Sequence, residues 1–181
     1  GSVSLSTSEV LMVLRGGGGE VARDIIIGLR LPRVLLGVLV GGGLAIAGAT
    51  FQALLRNPLA EPYILGISGG ASVGAVLVLA LGWATATSWA LPLSAFAGAI
   101  VAIVMVFAVA TAAGRSMDVR VLLLAGVVVA AFFSACIALI LSVSPARTVQ
   151  SAVLWIMGSL SAASWGSVVL TAAYTIPSAV A

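Results

Sequence analysis

Few side chains in this sequence can take part in chemistry. Its 181 residues include eight basic and five acidic side chains, one cysteine and no histidine, and every basic residue is an arginine. A zinc site needs several Cys or His ligands, and a Ser-His-Asp triad needs a histidine base, so neither can be assembled. The one cysteine, Cys136, lies in an apolar run and is expected to be a small buried hydrophobic residue. The sequence therefore predicts no catalytic residue, no metal site and no enzyme.

Two sets of residues stand out by their spacing instead. Arg30 and Arg33 flank Pro32, and this charged, proline-containing segment marks the start of an uncharged run. A second set recurs at every fourth residue, which places it on one stripe of a helix: Gly126, Ala130, Ser134, Ala138 and Ser142. Small residues and hydroxyls on one stripe allow two interpretations, close helix packing or the wall of a polar conduit.

The segment RNPLAEP at residues 56–62 predicts a structured turn. Pro58 and Pro62 disfavour helical geometry at the residues before them, so a regular helix cannot continue through the segment. Asn57 can bond the backbone two residues on, as in an Asx turn. The turn residues Asn57, Pro58 and Pro62 are expected to connect two membrane spans tightly.

The elements that carry these residues are predicted to be membrane-spanning helices. The composition is 62% hydrophobic and 7% charged, against about 25% charged in soluble domains, and the mean hydropathy is +1.29. An uncharged run of 22 residues at 34–55 makes a helix of about 33 Å, which crosses a hydrocarbon core about 30 Å thick. The fold class is therefore all-α, a polytopic helical membrane protein.

About five spans are expected within the chain. Four are complete and a last one begins near Trp165 and is cut at residue 181; the complete spans are predicted at residues 34–55, 63–83, 92–113 and 121–143. Residues 1–33 are expected to form a periplasmic or interfacial N-terminal segment with a short helix and an amphipathic helix, and residues 34–181 the helical bundle. A short surface helix is predicted at about 148–157.

Small residues at four-residue spacing predict which spans pack closely. In the first span the stripe consists of Gly37, Gly41, Ala45, Ala49 and Ala53, and this face is expected to contact protein rather than lipid. In the second span Gly66, Gly70 and Gly74 have the same spacing. Both helices are therefore expected to approach a neighbouring helix at short distance.

Loop charges alone place the N-terminal segment in the cytoplasm. The side of the membrane that holds residues before 34, residues 84–91 and residues 144–164 has five arginines, and the opposite side has three. By the positive-inside rule the side richer in arginine is cytoplasmic. The same loops also carry three carboxylates, so the count is a weak guide.

Several motifs resemble one family of transport proteins. RLPR at residues 30–33, RNPLAEP at 56–62, LGISGGAS at 65–72, VLLLAG at 121–126 and LWIMGSL at 154–160 are similar to the FecCD or BtuC-like permeases of iron-siderophore, haem and cobalamin ABC importers. The resemblance implies a type II importer permease with ten spans in the complete protein. It also implies that this chain lacks the first span and everything beyond the sixth.

The resemblance reverses the charge-based topology and implies roles for particular residues. Residues before 34 and 144–164 become periplasmic, with Arg30 and Arg33 docking a periplasmic substrate-binding protein. The pathway stripe Gly126, Ala130, Ser134, Ala138 and Ser142 would line the route with a symmetry mate. Gate residues would be Met117, Asp118, Val119 and Arg120 on the cytoplasmic side and Thr148, Gln150 and Ser151 on the periplasmic side.

The partners and cofactor are also implied by resemblance. A second permease copy, a homodimer in the usual case, and cytoplasmic ATPase subunits would complete an importer in the bacterial inner membrane. ATP and Mg²⁺ would bind the ATPase, and no cofactor would bind this chain. The sequence does not select among siderophore, haem and cobalamin. The alternative interpretation is a membrane scaffold fragment that inserts but transports nothing.

Overall fold

The computed structural model describes residues 3–83, 89–112 and 118–180, and all regular structure in that part of the chain is helical. A π-helical segment, Asp24–Arg30, and a 3-10 helix, Pro62–Leu65, accompany eight α-helices. The α-helices are α1 (Thr7–Leu14), α2 (Glu20–Arg23), α3 (Leu31–Leu55), α4 (Ile67–Ala80), α5 (Ala90–Ala112), α6 (Val119–Ser142), α7 (Ala146–Met157) and α8 (Trp165–Val180). The all-α prediction is confirmed.

Among the described residues, three helices are long and apolar enough to cross a membrane: Glu20–Leu55, Ala90–Ala112 and Val119–Ser142. The last two match the spans predicted at 92–113 and 121–143 within two residues. Helices α7 and α8 likewise begin and end close to the predicted positions. Length and hydropathy were sufficient for these elements because each is bounded by polar or charged residues.

The second predicted span is shorter than expected. Instead of one helix over residues 63–83, the chain forms the 3-10 helix and then α4, which has 14 residues and is about 21 Å long. Gly66 separates the two pieces because its backbone is left-handed, with φ of 70°. At the other end, Gly82 has φ of 70°, and Trp83 N–H donates to the Val78 carbonyl at 3.0 Å. That bond is typical of a Schellman termination.

The first predicted span begins earlier than residue 34. Helix α2, the π-helical segment and α3 run continuously as a helix of 36 residues, Glu20–Leu55. Pro32 was expected to mark the start of the span, yet it is buried inside this helix. The π register explains why proline is tolerated, since Leu31 N–H already donates to the Ile26 carbonyl five residues back. The prediction of a separate amphipathic helix before the span is therefore wrong. The boundary that we expected between the N-terminal segment and the helical bundle, at residues 33 and 34, falls within one helix.

The chain divides into two compact units. One comprises Gly1–Ile46 with Ser159–Ala181, and the other comprises Ala47–Gly158. In the second unit, α4, α5 and α6 pack together around a core that also includes the 3-10 helix. The core side chains are Leu65, Ala102, Val106, Ala110, Ala125, Val129 and Phe133.

Helices α4 and α5 touch through their backbones. A Cβ on Gly70 would lie 2.3 Å from the Gly98 carbonyl oxygen, and a Cβ on Gly98 would lie 2.1 Å from the Gly70 carbonyl oxygen. One turn further along, a Cβ on Gly74 would lie 2.1 Å from the Ser94 carbonyl oxygen. The predicted close approach of the second span is confirmed at Gly70 and Gly74.

The small-residue stripe of α3 behaves differently. Gly41, Ala45, Ala49 and Ala53 are exposed, and Gly37 is half-buried beside Leu160. Gly43, which is not on that stripe, meets the Thr175 methyl group of α8. Contact of the full stripe with protein stays a prediction.

The N-terminal helix α1 begins with a capping box. Ser6 Oγ accepts from Glu9 N–H at 3.2 Å, and the Glu9 carboxylate accepts from Ser6 N–H at 2.7 Å. The Ser6 hydroxyl also donates to the Glu9 carboxylate at 2.8 Å. The two bonds that the carboxylate accepts lower the pKa of Glu9, the bond from the Ser6 backbone more than the bond from its hydroxyl. The reciprocal bonds satisfy two backbone donors that the first helical turn leaves free.

Replacing Ser6 by alanine should weaken α1 and reduce its pH dependence, since alanine keeps the backbone N–H but loses the hydroxyl that bonds Glu9. The folded pKa of Glu9 is lower than its unfolded value, so the stabilisation is fully present above the unfolded pKa and is lost as the pH falls through the folded pKa. Hydrogen-exchange protection of residues 10–15 should therefore fall in acid for the native chain. In Ser6→Ala protection should already be low at neutral pH. Equal protection in both proteins at neutral pH would contradict the role of the box.

Candidate functional site

The arginine pair lies where the π-helical segment joins α3, within the long helix Glu20–Leu55. Arg30 is the last residue of the π-helical segment and Arg33 follows in the first turn of α3, so the two side chains are three residues apart. Arg30 Nη2 donates to the Val3 carbonyl. Arg33 donates through Nε to the Leu160 carbonyl at 3.0 Å and through Nη2 to the Ser161 carbonyl at 3.1 Å.

These hydrogen bonds orient the arginines without neutralising them. Each partner is a neutral backbone oxygen, and a guanidinium group has five N–H donors, of which Arg33 uses two here. Arg33 is exposed and Arg30 is half-buried. The arrangement can present two positive charges and several spare donors to an incoming carboxylate.

The predicted turn after α3 has the expected construction. Arg56 adopts a left-handed φ of 46°, and Asn57 N–H donates to the Gln52 carbonyl at 3.1 Å. The Asn57 side-chain oxygen accepts from Leu59 N–H at 3.0 Å, which is the predicted Asx turn. The chain then enters the 3-10 helix with Pro62 at its first turn, and Pro58 lies exposed between the two elements.

The pathway stripe of α6 divides into a packed part and an open part. Gly126 is buried and Ala130 is half-buried, whereas Ser134, Ala138 and Ser142 are exposed. Close packing therefore accounts for the Gly126 end of the stripe, and a conduit along the Ser134 to Ser142 end stays a prediction.

The packed part of the stripe lies against Gly66. A Cβ on Gly66 would lie 3.2 Å from both the Gly126 carbonyl oxygen and the Ala130 nitrogen. The left-handed turn before α4 thus fits against the α6 backbone because glycine leaves room for it. Gly126 and Ala130 position that turn.

The hydroxyls of the open part bond within their own helix. Ser134 Oγ donates to the Ala130 carbonyl at 2.9 Å, and Ser142 Oγ donates to the Leu139 carbonyl at 2.7 Å. Their donors are therefore already satisfied, and only oxygen lone pairs remain as acceptors. Such a surface is polar enough to contact water but offers no charge to retain a solute.

The predicted periplasmic gate residues lie on α7. This amphipathic helix packs against α4, and its Ala152 is fully buried. Thr148 is half-buried, and Gln150 and Ser151 are exposed. The helix ends at Gly158, whose φ of 71° only glycine adopts readily.

The predicted cytoplasmic gate is only partly a loop. Asp118 is the N-cap of α6, and its side chain accepts from Arg120 N–H at 2.8 Å. Val119 and Arg120 belong to the first helical turn rather than to a loop. Met117 lies outside the described residues.

Some partners of these residues could not be found by reading the sequence. Arg33 meets carbonyls more than 120 residues away, and no local pattern indicates such a pairing. Gly98 had a detectable signal, because Ser94, Gly98 and Ala102 repeat the small-residue spacing of α4. Within the described part of the chain, no group of three or more His, Cys, Asp or Glu is placed to hold a metal ion.

Comparisons with known proteins show one family of transport proteins. The family model of the FecCD transport family matches residues 1–181. The achromobactin transport system permease protein CbrC of Dickeya dadantii is 46% identical over 165 residues, which is 91% of this chain and 47% of CbrC. The ABC transporter permease protein YvrB of Bacillus subtilis is 39% identical over 180 residues, 94% of this chain and 51% of YvrB.

Two further proteins extend the comparison. The vitamin B12 import system permease protein BtuC of Escherichia coli is 39% identical over 137 residues, 76% of this chain and 41% of BtuC. A solved structure described as an inward-facing metal-chelate type ABC transporter has 30% identity and a TM-score of 0.74, covering 83% of this chain and 47% of its own. The chain spans about half the length of the curated relatives it matches.

Proposed function

Because the chain belongs to the FecCD transport family, we propose that it forms part of the membrane-spanning permease of an ATP-driven importer. Together with its three membrane-length helices, family membership makes it a multi-pass membrane protein. We place it in the bacterial inner membrane, with the arginine pair on the periplasmic side. The observation that carries this proposal is the open face of α6, where small residues and satisfied hydroxyls share one stripe.

The proposed pathway is a surface that binds solutes weakly. Movement through a membrane requires that a solute can enter each site and also leave it. Ser134, Ala138 and Ser142 present small, uncharged groups whose hydroxyl donors are already bonded within the helix. A second permease copy, proposed to complete a homodimer, would supply the facing wall.

The proposed cargo is a metal chelate. One relative is named for achromobactin transport and another for vitamin B12 import, and the structural neighbour is of the metal-chelate type. We favour an iron-siderophore over cobalamin or haem because CbrC has the higher identity to this chain.

The energy source is proposed to lie in separate subunits. The pathway stripe and the gates contain no carboxylate other than Asp118, whose side chain caps α6, so ion coupling through this chain has no group to carry it. Cytoplasmic ATPase subunits that bind ATP and Mg²⁺ would alternate the packing of the two permeases. The gates at residues 117–120 and on α7 would open in turn.

The importer proposal is tested by assembly and coupled ATP turnover. The complete permease that contains this chain is expressed with the ATPase encoded beside it and purified in detergent. It is then reconstituted in liposomes with the neighbouring binding protein. Co-purification and ATP turnover stimulated by loaded binding protein are expected. Failure to recruit the ATPase would favour a membrane scaffold that carries nothing.

Reversing the charge of the arginine pair should weaken docking. In Arg30→Glu with Arg33→Glu, we expect affinity for the binding protein to fall by about tenfold or more at low salt, since two attractive contacts become repulsive. The matched control is Arg15→Glu with Arg23→Glu, which changes the net charge equally on the same proposed side. Affinity measured by biolayer interferometry should fall much less in the control. Equal loss in both double variants would indicate long-range charge rather than a docking contact.

A further inference from the structure

The residues between α7 and α8 are fastened to the long helix by three hydrogen bonds. Two come from Arg33, to the carbonyls of Leu160 and Ser161. The third comes from Trp165 Nε1, which donates to the Ile27 carbonyl at 3.0 Å. All three bonds lie within the unit formed by Gly1–Ile46 and Ser159–Ala181. We call residues 158–165 the anchored segment.

The Ile27 carbonyl is free to accept because of the π register and Pro32. In an α-helix this carbonyl would accept from Leu31 N–H, but Leu31 donates to Ile26 instead. In a π-helix the donor would be the residue five positions on, which is Pro32 and has no N–H. The helix therefore leaves one carbonyl unpaired, and the Trp165 indole satisfies it from 138 residues away.

Arg33 contacts the same segment through one edge of its guanidinium group. Nε and Nη2 point at consecutive carbonyls, a two-point contact that fixes the plane of the group as well as its position. The other edge is left for an external acceptor. Lysine, with a single ammonium group on a flexible stem, cannot reproduce this geometry.

We propose that Arg33 and Trp165 are positioning residues that hold the anchored segment, the direct continuation of gate helix α7, to the helical turn that bears the docking arginines. This inference rests on the proposed importer function. A carboxylate that binds Arg33 shares its guanidinium group with the Leu160 and Ser161 carbonyls. Docking of the binding protein at Arg33 therefore acts on the anchored segment, which directly follows gate helix α7. The anchored segment thus links docking to the gate.

Two conservative variants separate positioning from docking charge. Arg33→Lys keeps the positive charge but loses the two-point contact, and Trp165→Phe keeps the ring but loses the N–H donor. Their controls are Arg30→Lys, whose native side chain bonds Val3 rather than the anchored segment, and Trp89→Phe, an exposed tryptophan of the other unit. All four are made in the complete permease assembled with its ATPase.

The first measurement needs no binding protein. A nitroxide attached at Ala162, an exposed position of the anchored segment, should become more mobile in Arg33→Lys and in Trp165→Phe, with spectra unchanged in both controls. Unchanged mobility in the two test variants would overturn the positioning role. This result decides the anchoring even if the importer proposal fails, because docking is not involved.

The second measurement tests transmission. At saturating binding protein, stimulation of ATP turnover should fall by about three- to tenfold in the test variants, the range expected for lost hydrogen bonds. In Trp165→Phe, which leaves both docking arginines in place, the binding-protein concentration for half-maximal stimulation should stay within about threefold of the native value. Greater label mobility with full stimulation would overturn the link to the gate. A native importer that does not respond to binding protein at all would instead contradict the proposed function.

Discussion

Gly98→Ala is expected to force α4 away from α5 and destabilise the helical core. The added methyl group would lie 2.1 Å from the Gly70 carbonyl oxygen, and contacts shorter than 3.0 Å are not sustained. The two backbones must therefore separate by about 1 Å. This also loosens the contact between Ala102 of α5 and Gly70 of α4. Overpacking of this kind costs about 3 kcal/mol at its upper range, which lowers the melting temperature by about 10 °C for a chain of this size.

The matched control is Gly42→Ala. No heavy atom outside its own helical neighbourhood lies within 4 Å of the Cβ position at Gly42, and alanine restricts the unfolded chain more than glycine does. A gain of up to about 1 kcal/mol is expected. The same methyl group thus shifts the melting temperature in opposite directions at the two sites. A Gly98→Ala protein that melts at or above the native temperature in detergent would contradict the backbone contact.

The contact between Gly70 and Gly98 shows how much of a helix interface the sequence alone predicts. The four-residue spacing of Gly66, Gly70 and Gly74 identified one side of the interface, because close approach requires small residues at that period. It did not identify the partner helix. That choice depends on the order in which helices pack, and the same spacing on α3 leaves Gly41 exposed within this chain.

The ends of elements were harder to place than their existence. Proline usually marks a helix start, and so Pro32 predicted the beginning of a span. The structure instead places it inside a continuous helix, where the π-helical segment had already shifted the hydrogen-bond register. The register is stabilised from a distance, since the Trp165 indole satisfies the Ile27 carbonyl that this arrangement leaves unpaired. No window around Pro32 contains that information.

The candidate sites likewise have features that local sequence patterns predict and features that depend on tertiary packing. Spacing led to the α6 stripe, and the resemblance of RLPR to a permease motif led to the arginine pair, because both are local patterns. Only the structure identifies the Leu160 and Ser161 carbonyls as partners of Arg33, since a backbone acceptor has no side-chain signature in a sequence. The division of the α6 stripe at Ala130 likewise depends on where Gly66 packs.

Ser134→Trp is expected to reduce uptake at least about tenfold, which corresponds to about 1.4 kcal/mol of added barrier. Ser134 is exposed and its hydroxyl bonds within α6, so the helix should fold and the complex assemble with tryptophan in its place. The indole would project into the space that we propose the cargo crosses. Uptake of a radiolabelled iron chelate into proteoliposomes, beside basal ATP turnover, measures the two effects separately.

Leu139→Trp is the matched control, because it adds the same indole to a different face of α6. Leu139 is 67% exposed on the same helix. Because it follows Ser134 by five residues, its side chain points about 140° away from Ser134 around the helix axis. A tryptophan there adds comparable bulk to the face that we expect to contact lipid, and uptake should remain near the native rate. If both variants transport normally, the Ser134 face is not on the pathway. If both are impaired, bulk anywhere on α6 disturbs assembly, and the stripe has no special role. Only loss at Ser134 alone supports the conduit, because it ties the defect to one face of one helix.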